Sequence, residues 1–217
     1  MLPSGSFLAV FVFAFVIGMG AVVSPGPVST AIVSQAPRRG WLVGPLVATG
    51  HSFLELVIVL FILLGLGSIL AHPGVQTQIA ILGGLLLLWM GASMLFSTWR
   101  GQVHLPSIGS DISEKSSSQL VGLGMLATVS NPFWYAWWVT VAAGYLAQAK
   151  LSGIVAVGAF YLGHISADYL WDTTLSAVVG GGRRWMTDRL YQGILILCAG
   201  FFVYLGVVFL VQGIQAI

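Results

Sequence analysis

Two histidine–acid pairs with the same spacing lie inside long apolar stretches of the sequence. His51 precedes Glu55 by four residues, and His164 precedes Asp168 by the same number. Asp172 follows one helical turn later. A spacing of four places both members of each pair on one face of a helix. Charges at the bilayer centre cost at least about 2.5–3.5 kcal/mol, so such residues usually face a cavity and mark ion or proton pathways.

These side chains allow three interpretations. The apolar stretches contain no Lys or Arg, so the acids have to be protonated, hydrogen-bonded to histidine or neutralised by a bound cation. Histidine and carboxylate together can shuttle protons. Alternatively, a divalent ion such as manganese, iron or zinc could bind imidazole and carboxylate ligands, here His51, Glu55, His164 and Asp168. The third interpretation is a pair of local hydrogen bonds that only lock helices together.

The composition indicates which elements must position these residues. The chain has 217 residues, of which 58% are hydrophobic and 6% charged, and such a composition predicts an integral membrane protein. Six apolar runs each exceed the roughly 20 residues that a spanning helix needs. The expected fold is therefore one all-α membrane domain with six transmembrane helices, in runs 6–36, 42–67, 77–98, 119–148, 151–179 and 190–213.

The positive charges predict the orientation in the membrane. All but one of the eight Lys and Arg residues fall in the first, third and fifth connections; the exception is Lys150. Cytoplasmic loops carry an excess of Lys and Arg, so these odd-numbered connections are expected to be cytoplasmic and both termini outside. The residues concerned are Arg38, Arg39, Arg100, Lys115, Arg183, Arg184 and Arg189.

The halves of the chain resemble each other. A polar segment, 100–118, is rich in Ser and Gly and separates residues 1–99 from residues 119–217, so we expect a cytoplasmic linker between two three-helix repeats. Aligning "LVATGHSFLEL" with "FYLGHISADYL" superposes both His–acid pairs, and a second alignment superposes Gly91 on Gly206. Three helices per half make the repeat inverted, a 3+3 arrangement typical of transporters with a site near the midplane.

Proline motifs interrupt the first and fourth predicted helices. Pro25 and Pro27 flank Gly26 in "SPGP", and Asn131 precedes Pro132 at the corresponding place in the second half. Proline breaks or kinks a helix, and non-helical backbone is tolerated at membrane depth only where it is buried in protein or lines a wet cavity. The amides after Gly26 would suit a substrate carboxylate. The alternative is a pair of ordinary kinks that help packing.

An aromatic group follows the second break. The run "NPFWYAWW" contains Trp134, Trp137 and Trp138, whose ring faces could contact an ammonium or guanidinium substrate. Clustered aromatic side chains more often only pack. Small residues such as Gly83, Gly84 and Gly91 can pack helices within one chain or between two chains. The sequence is therefore compatible with a homo-oligomer.

Other functional classes find no support in the sequence. It contains no zinc-protease, nucleophile-elbow, dinucleotide or P-loop motif, so neither an enzyme nor a cofactor nor a nucleic-acid partner is expected. Its one cysteine, Cys198, excludes an internal disulfide. With no nucleotide-binding domain, coupling is expected to come from an ion gradient, most plausibly of protons.

The stretches "SPGPVSTAIVSQAPRRGWLVGPLVATG" and "SNPFWYAWW" resemble the corresponding motifs of the LysE/RhtB family of amino-acid exporters. The resemblance implies an inner-membrane secondary carrier that exports amino acids or related metabolites from the cytoplasm, driven by the proton gradient. It also implies helix breaks at Pro25–Pro27 and at Asn131–Pro132. The sequence departs from many members in having histidine before the acid in both halves.

The leading hypothesis is thus a proton-coupled exporter. Gly26 and neighbouring amides would receive the substrate carboxylate, Glu55 and Asp168 would take its cationic group or the proton, and the two histidines would tune these acids. Because the wider superfamily includes metal-ion exporters, a divalent-metal exporter is the alternative. A non-transporting membrane module is the third class.

Overall fold

Helices make up every regular element of the described chain. The computed structural model describes residues 6–23, 26–65, 72–103, 115–182 and 187–216. We number the α-helices in chain order: α1 Phe7–Val22, α2 Pro27–Arg39, α3 Val43–Leu63, α4 Pro73–Trp99, α5 Ser117–Val129, α6 Pro132–Trp137, α7 Ala143–Leu151, α8 Ile154–Gly181 and α9 Asp188–Gln215. A 3₁₀ turn, Gly40–Leu42, joins α2 to α3, and a π-helical segment, Trp138–Ala142, joins α6 to α7.

Several of these helices suit a membrane. Among the described residues, three stretches are long and apolar enough to cross a bilayer by length and composition: Pro27–Leu63, Pro73–Trp99 and Asp188–Gln215. Helices α1 and α5 are shorter but also apolar. Helix α8 is as long as α9 and carries His164, Asp168 and Asp172. The chain is a multi-pass membrane protein.

Helix α1 ends before the "SPGP" motif, and α2 begins at the last residue of the motif. Helix α1 ends at Val22, and α2 starts at Pro27 after Gly26, whose backbone is extended with φ −152° and ψ −179°. Proline suits the first helical position because its missing N–H has no intrahelical partner there. Gly26 offers no side chain to cap the helix. Pro25 lies outside the described residues, as do Arg183, Arg184 and residues 104–114 of the expected linker.

A second helix boundary lies at Asn131. Helix α5 ends at Val129, and α6 starts at Pro132 with Asn131 as its N-cap. The Asn131 Oδ1 accepts a hydrogen bond of 3.1 Å from the Phe133 N–H. Helix α6 lasts six residues before the π-helical segment begins. The expected run 119–148 is therefore divided into three α-helices and a π turn, and the π turn was not predicted.

The helices pack chiefly in pairs. Helix α1 packs on α8, and α5 packs on α3; α3 and α8 also contact each other, and α4 packs chiefly on α9. Glycine permits the close approaches. A Cβ on Gly163 would lie 2.3 Å from the Phe11 carbonyl oxygen, and one on Gly50 would lie 2.0 Å from the Val121 carbonyl oxygen. Any side chain at either glycine would push two backbones apart.

We predict that Gly50→Ala destabilises the folded protein by about 1–3 kcal/mol, as overpacking in a core does. The added methyl group meets the α5 backbone, which cannot rotate away as a side chain can. Thermal unfolding of the purified protein in detergent measures the change. Gly122→Ala is the matched control, because nothing lies within 4 Å of a Cβ there. Equal unfolding temperatures for the two variants would contradict the close α3–α5 contact.

Candidate functional site

The two histidine–acid pairs meet between α3 and α8. His51 and Glu55 lie on α3, while His164, Asp168 and Asp172 lie on α8. All five side chains are buried, with residue exposures between 1% and 8%. The equal spacing within each helix turns both pairs toward the same space. Five ionisable groups therefore share one buried cluster with no Lys or Arg among them.

One oxygen of Glu55 is the centre of this cluster. Its Oε1 lies 3.1 Å from Nε2 of His164 and 3.2 Å from Nε2 of His51. It also accepts hydrogen bonds from the indole N–H groups of Trp138 at 3.2 Å and Trp134 at 3.4 Å. Four ring nitrogens thus surround a single carboxylate oxygen. Hydrogen bonds to an ionised acceptor are the stronger kind, so Glu55 ties α3 to α6, the π segment and α8.

Several carboxylate oxygens of the cluster have no hydrogen-bond partner. Asp168 lies 3.9 Å from the His51 Nε2 and 3.8 Å from the His164 Nε2, beyond hydrogen-bonding distance. Within the described chain, the Oε2 of Glu55, the Oδ2 of Asp168 and both carboxylate oxygens of Asp172 are buried without a hydrogen-bond partner. A buried polar group in that state favours a ligand, ion or water beside it. Asp168 and Asp172 are accordingly available to a bound group, as is the second oxygen of Glu55.

The two histidine rings are held differently. The His51 Nδ1 lies 2.7 Å from the Thr128 hydroxyl on α5. The His164 ring stacks on Trp137 with centroids 4.4 Å apart and an interplanar angle of 16°. Trp138 meets the same imidazole edge-on. The predicted aromatic group therefore contacts the histidine and Glu55 rather than standing apart as a separate surface.

A cavity of about 70 Å³ joins the cluster to both helix starts. Its polar wall consists of His51, Glu55, His164, Asp168 and Asp172, and its apolar wall includes Leu87, Phe201, Phe202 and Leu205. The start of α2 contributes Gly26, Pro27, Val28 and Ser29, and the second helix boundary contributes Asn131, Phe133, Trp134 and Trp137. Two parts of the chain about a hundred residues apart thereby meet at one site.

Most of the predicted site residues come together here, but not all in the same role. Trp138 does not line the cavity, although it bonds to Glu55. The sequence did not indicate Thr128 or Ser29. Thr128 was the more accessible of these to prediction, since it is a polar residue inside an apolar helix that ends next to a break. Nothing in the one-dimensional pattern linked it to a particular histidine.

The cluster also has the dimensions of a cation site. One ligand atom each from His51, Glu55 and Asp168 lie within 4.8 Å of one another. Imidazole and carboxylate suit several divalent transition metals. These three residues could hold such an ion without His164.

A comparison with family models decides the class of protein. The model of the LysE type translocator family matches residues 6–213. The chain belongs to this family. Searches of curated proteins and of solved structures gave no significant match. The match to the LysE type translocators spans both helix boundaries and both histidine–acid pairs, and it confirms the resemblance that the two sequence motifs suggested. A translocator family agrees with a transporter rather than an enzyme.

In this LysE type translocator, we predict opposite effects on stability for two buried acids. Glu55→Gln replaces a charged acceptor of several N–H groups by a neutral carbonyl, so we expect a loss of about 1–2 kcal/mol. Asp172→Asn removes a buried carboxylate that has no hydrogen-bond partner, so we expect no loss or a gain. Unfolding in detergent compares the two. A greater loss for Asp172→Asn would refute the central role of Glu55.

Proposed function

We propose that this protein is a secondary active transporter that exports amino acids or related small metabolites across the cytoplasmic membrane in exchange for protons. One observation carries the proposal: one cavity is lined both by a helix start without a side-chain cap and by acids with unpaired carboxylate oxygens. The helix start suits an anion, and the acids suit a cation. A zwitterion such as an amino acid carries both charges.

The start of α2 suits the substrate carboxylate. The first amides of a helix lack intrahelical acceptors and lie at the positive end of the helix dipole, which makes such a start an anion site. Val28 and Ser29 line the cavity there, and the N-cap residue Gly26 has no side chain to accept from their amides. The start of α6 is different, because the Asn131 side chain already accepts from the Phe133 amide. We therefore give Asn131 a structural role beside the site.

Asp172 and Asp168 suit the cationic group of the substrate. Both line the cavity, and both have carboxylate oxygens without a hydrogen-bond partner in the described chain. Glu55 has less capacity for a substrate, since its Oε1 already meets four ring nitrogens. In the proposed mechanism Glu55 belongs with His51 and His164 to the proton-coupling group. Trp134 and Trp137 would form the adjoining aromatic wall.

An inverted repeat is part of this proposal, with halves 1–99 and 119–217. Corresponding contacts support it: Gly50 meets the Val121 carbonyl as Gly163 meets the Phe11 carbonyl. The α4–α9 pair behaves likewise. Gly84 contacts Gly206, and Gly91 contacts Ala199. The alignment of Gly91 with Gly206 also pairs Gly84 with Ala199, so each of these contacts is the counterpart of the other in the repeat. The six spans would be α1–α2, α3, α4, α5–α7, α8 and α9, with the first and fourth broken at the proline motifs.

Contacts between connections support the proposed orientation, with residues 100–118 in the cytoplasm and both termini outside. Arg39, in the first connection, donates to the Lys115 carbonyl and the Ser117 hydroxyl in the third. Lys150, in the fourth connection, donates at 2.7 Å to the Leu63 carbonyl at the end of α3, where the second begins. The first connection thus contacts the third, and the fourth contacts the start of the second. Each pair would lie on one side of the membrane.

A divalent metal ion is the alternative cargo. The grouping of His51, Glu55 and Asp168 within 4.8 Å favours it. In that case the metal would occupy the space that the proton and the substrate amine occupy in the first proposal. The two functions differ in which ligand stabilises the purified protein.

We predict that an amino acid of the transported class raises the unfolding temperature of the purified protein, because a ligand that binds only the folded state stabilises it. A panel of amino acids and divalent metals, measured across pH, identifies the ligand. Asp172→Asn should abolish the shift. Thr174→Val, on the exposed face of the same helix, is the matched control and should retain it. A shift with transition metals alone would replace the exporter of amino acids by a metal exporter.

We also predict that Glu55→Gln and Asp168→Asn change the export rate and its pH dependence, because the first removes the charged member of the coupling group and the second removes a charge from the substrate site beside it. Efflux of the identified substrate from proteoliposomes with an imposed pH gradient measures both quantities. Expression and unfolding temperature are checked first. If both variants are folded and export with the wild-type rate and pH profile, the assignment of these acids is wrong.

A further inference from the structure

The hydroxyl of Thr128 fixes the tautomer of His51. The Thr128 oxygen lies 2.7 Å from the Gly124 carbonyl oxygen and 2.7 Å from the His51 Nδ1. A hydroxyl has one proton, and a carbonyl oxygen can only accept. Thr128 therefore donates to Gly124 and accepts from His51. The hydrogen-bond network thus assigns a proton to Nδ1 of His51.

The corresponding nitrogen of His164 has no such partner. It is buried and unpaired among the described residues, and a Cβ built on Gly18 would lie only 2.7 Å from it. The backbone of Gly18 therefore closes this side of the ring. A buried N–H without an acceptor costs about 1–3 kcal/mol, and Nδ1 of His164 faces no acceptor in the described chain. His164 accordingly carries its proton on Nε2, 3.1 Å from Glu55.

Gly18 and Thr128 occupy corresponding places in the two halves. Phe11 and Val121 correspond through their contacts with Gly163 and Gly50. Gly18 lies seven residues after Phe11, and Thr128 lies seven residues after Val121. The space that holds a hydroxyl beside one histidine thus holds only backbone beside the other. At this point the two halves of the cluster are chemically unequal.

We propose that the two histidines hold opposite tautomers and have different roles, with the coupling proton carried by Nε2 of His51 while His164 acts as a positioning residue for Glu55. The proposal rests on the proton-coupled function above. With Nδ1 already protonated, Nε2 is the only atom of His51 that can bind or release a proton. It lies 3.2 Å from the Glu55 Oε1 and 3.9 Å from the Asp168 Oδ1.

The surroundings of His51 favour a proton at that nitrogen. Glu55 faces it from its own helix, and Asp168 and Asp172 from α8. Helix α5 contributes a hydroxyl and has no titratable side chain. Helix α2 has titratable side chains only in its last turn, where Arg38 and Arg39 lie. A bare Nε2 would face two carboxylates with no proton between them, so uptake replaces a repulsive contact by a hydrogen bond.

The proton balance is simple in this scheme. One proton enters at Nε2 of His51 from one side of the membrane and leaves from the same atom to the other side. The proton on Nδ1 remains with Thr128 throughout. His164 directs its Nε2 N–H toward Glu55 and in this scheme only positions that carboxylate.

Glutamine substitutions separate the two roles. The amide of Gln places an N–H donor near the position of the histidine Nε2 but cannot titrate. His164→Gln should lower the rate of gradient-driven export while leaving its pH profile that of the wild type. His51→Gln should lower gradient-driven export by about tenfold or more, as expected for loss of a proton-transfer group, and should abolish its pH dependence. Counterflow exchange, which needs no net proton movement, should fall far less in His51→Gln.

The opposite result in the two variants, or the same change of pH profile in both, would overturn the division of roles. ¹⁵N NMR of histidine-labelled protein gives a readout that does not depend on transport. We expect a protonated Nδ1 for His51, assigned by its loss in His51→Gln, and a protonated Nε2 with a bare Nδ1 for His164. Thr128→Val should remove the Nδ1 preference of His51, and Thr128→Ser should keep it.

The two readouts distinguish the failures. Equal tautomers in the wild-type protein would overturn this inference even if transport is proton-coupled. Opposite tautomers in a protein whose transport ignores the proton gradient would overturn the coupling role of His51 together with the proposed proton exchange.

Discussion

The architecture of the site depends on one carboxylate oxygen that meets four ring nitrogens. Through Glu55, helix α3 is joined to the imidazole of α8 and to two indoles that come from α6 and the π-helical segment. In a bilayer no water is available to replace such bonds, so each unsatisfied group would cost several kcal/mol. The position of Glu55 therefore determines where the aromatic group and the histidines lie, and with them the shape of the cavity.

Close helix contacts make this arrangement possible. Glu55 reaches side chains on three other elements because α3 lies close to its neighbours α8 and α5. Gly50 lets the α5 backbone approach α3. Gly163 does the same for α1 and α8. Without a hydrophobic driving force between helices in lipid, such small-residue contacts supply much of the association. Packing and chemistry thus depend on neighbouring turns of the same helices.

The sequence predicted the all-helical class of fold, because periodicity is a local signal. Equal His–acid spacing marked the faces of α3 and α8 that lie against each other, and both proline motifs lie next to a helix boundary. Which acid would be bonded was not predictable. Glu55 and Asp168 differ by one methylene group, and only the three-dimensional packing decides that the longer side chain reaches the indoles. The π segment and the bond from His51 to Thr128 likewise depend on neighbours distant in sequence.

The asymmetry between the two helix starts has a consequence for stoichiometry. In a site built from two equivalent halves, a ligand could bind in two orientations related by the pseudo-twofold axis, or two ligands could bind at once. Asn131 caps α6 with its own side chain, whereas Gly26 leaves α2 uncapped. Under the proposed inverted repeat, only one of the two possible anion positions therefore remains, and we expect the cavity to bind a single ligand per chain in a single polarity.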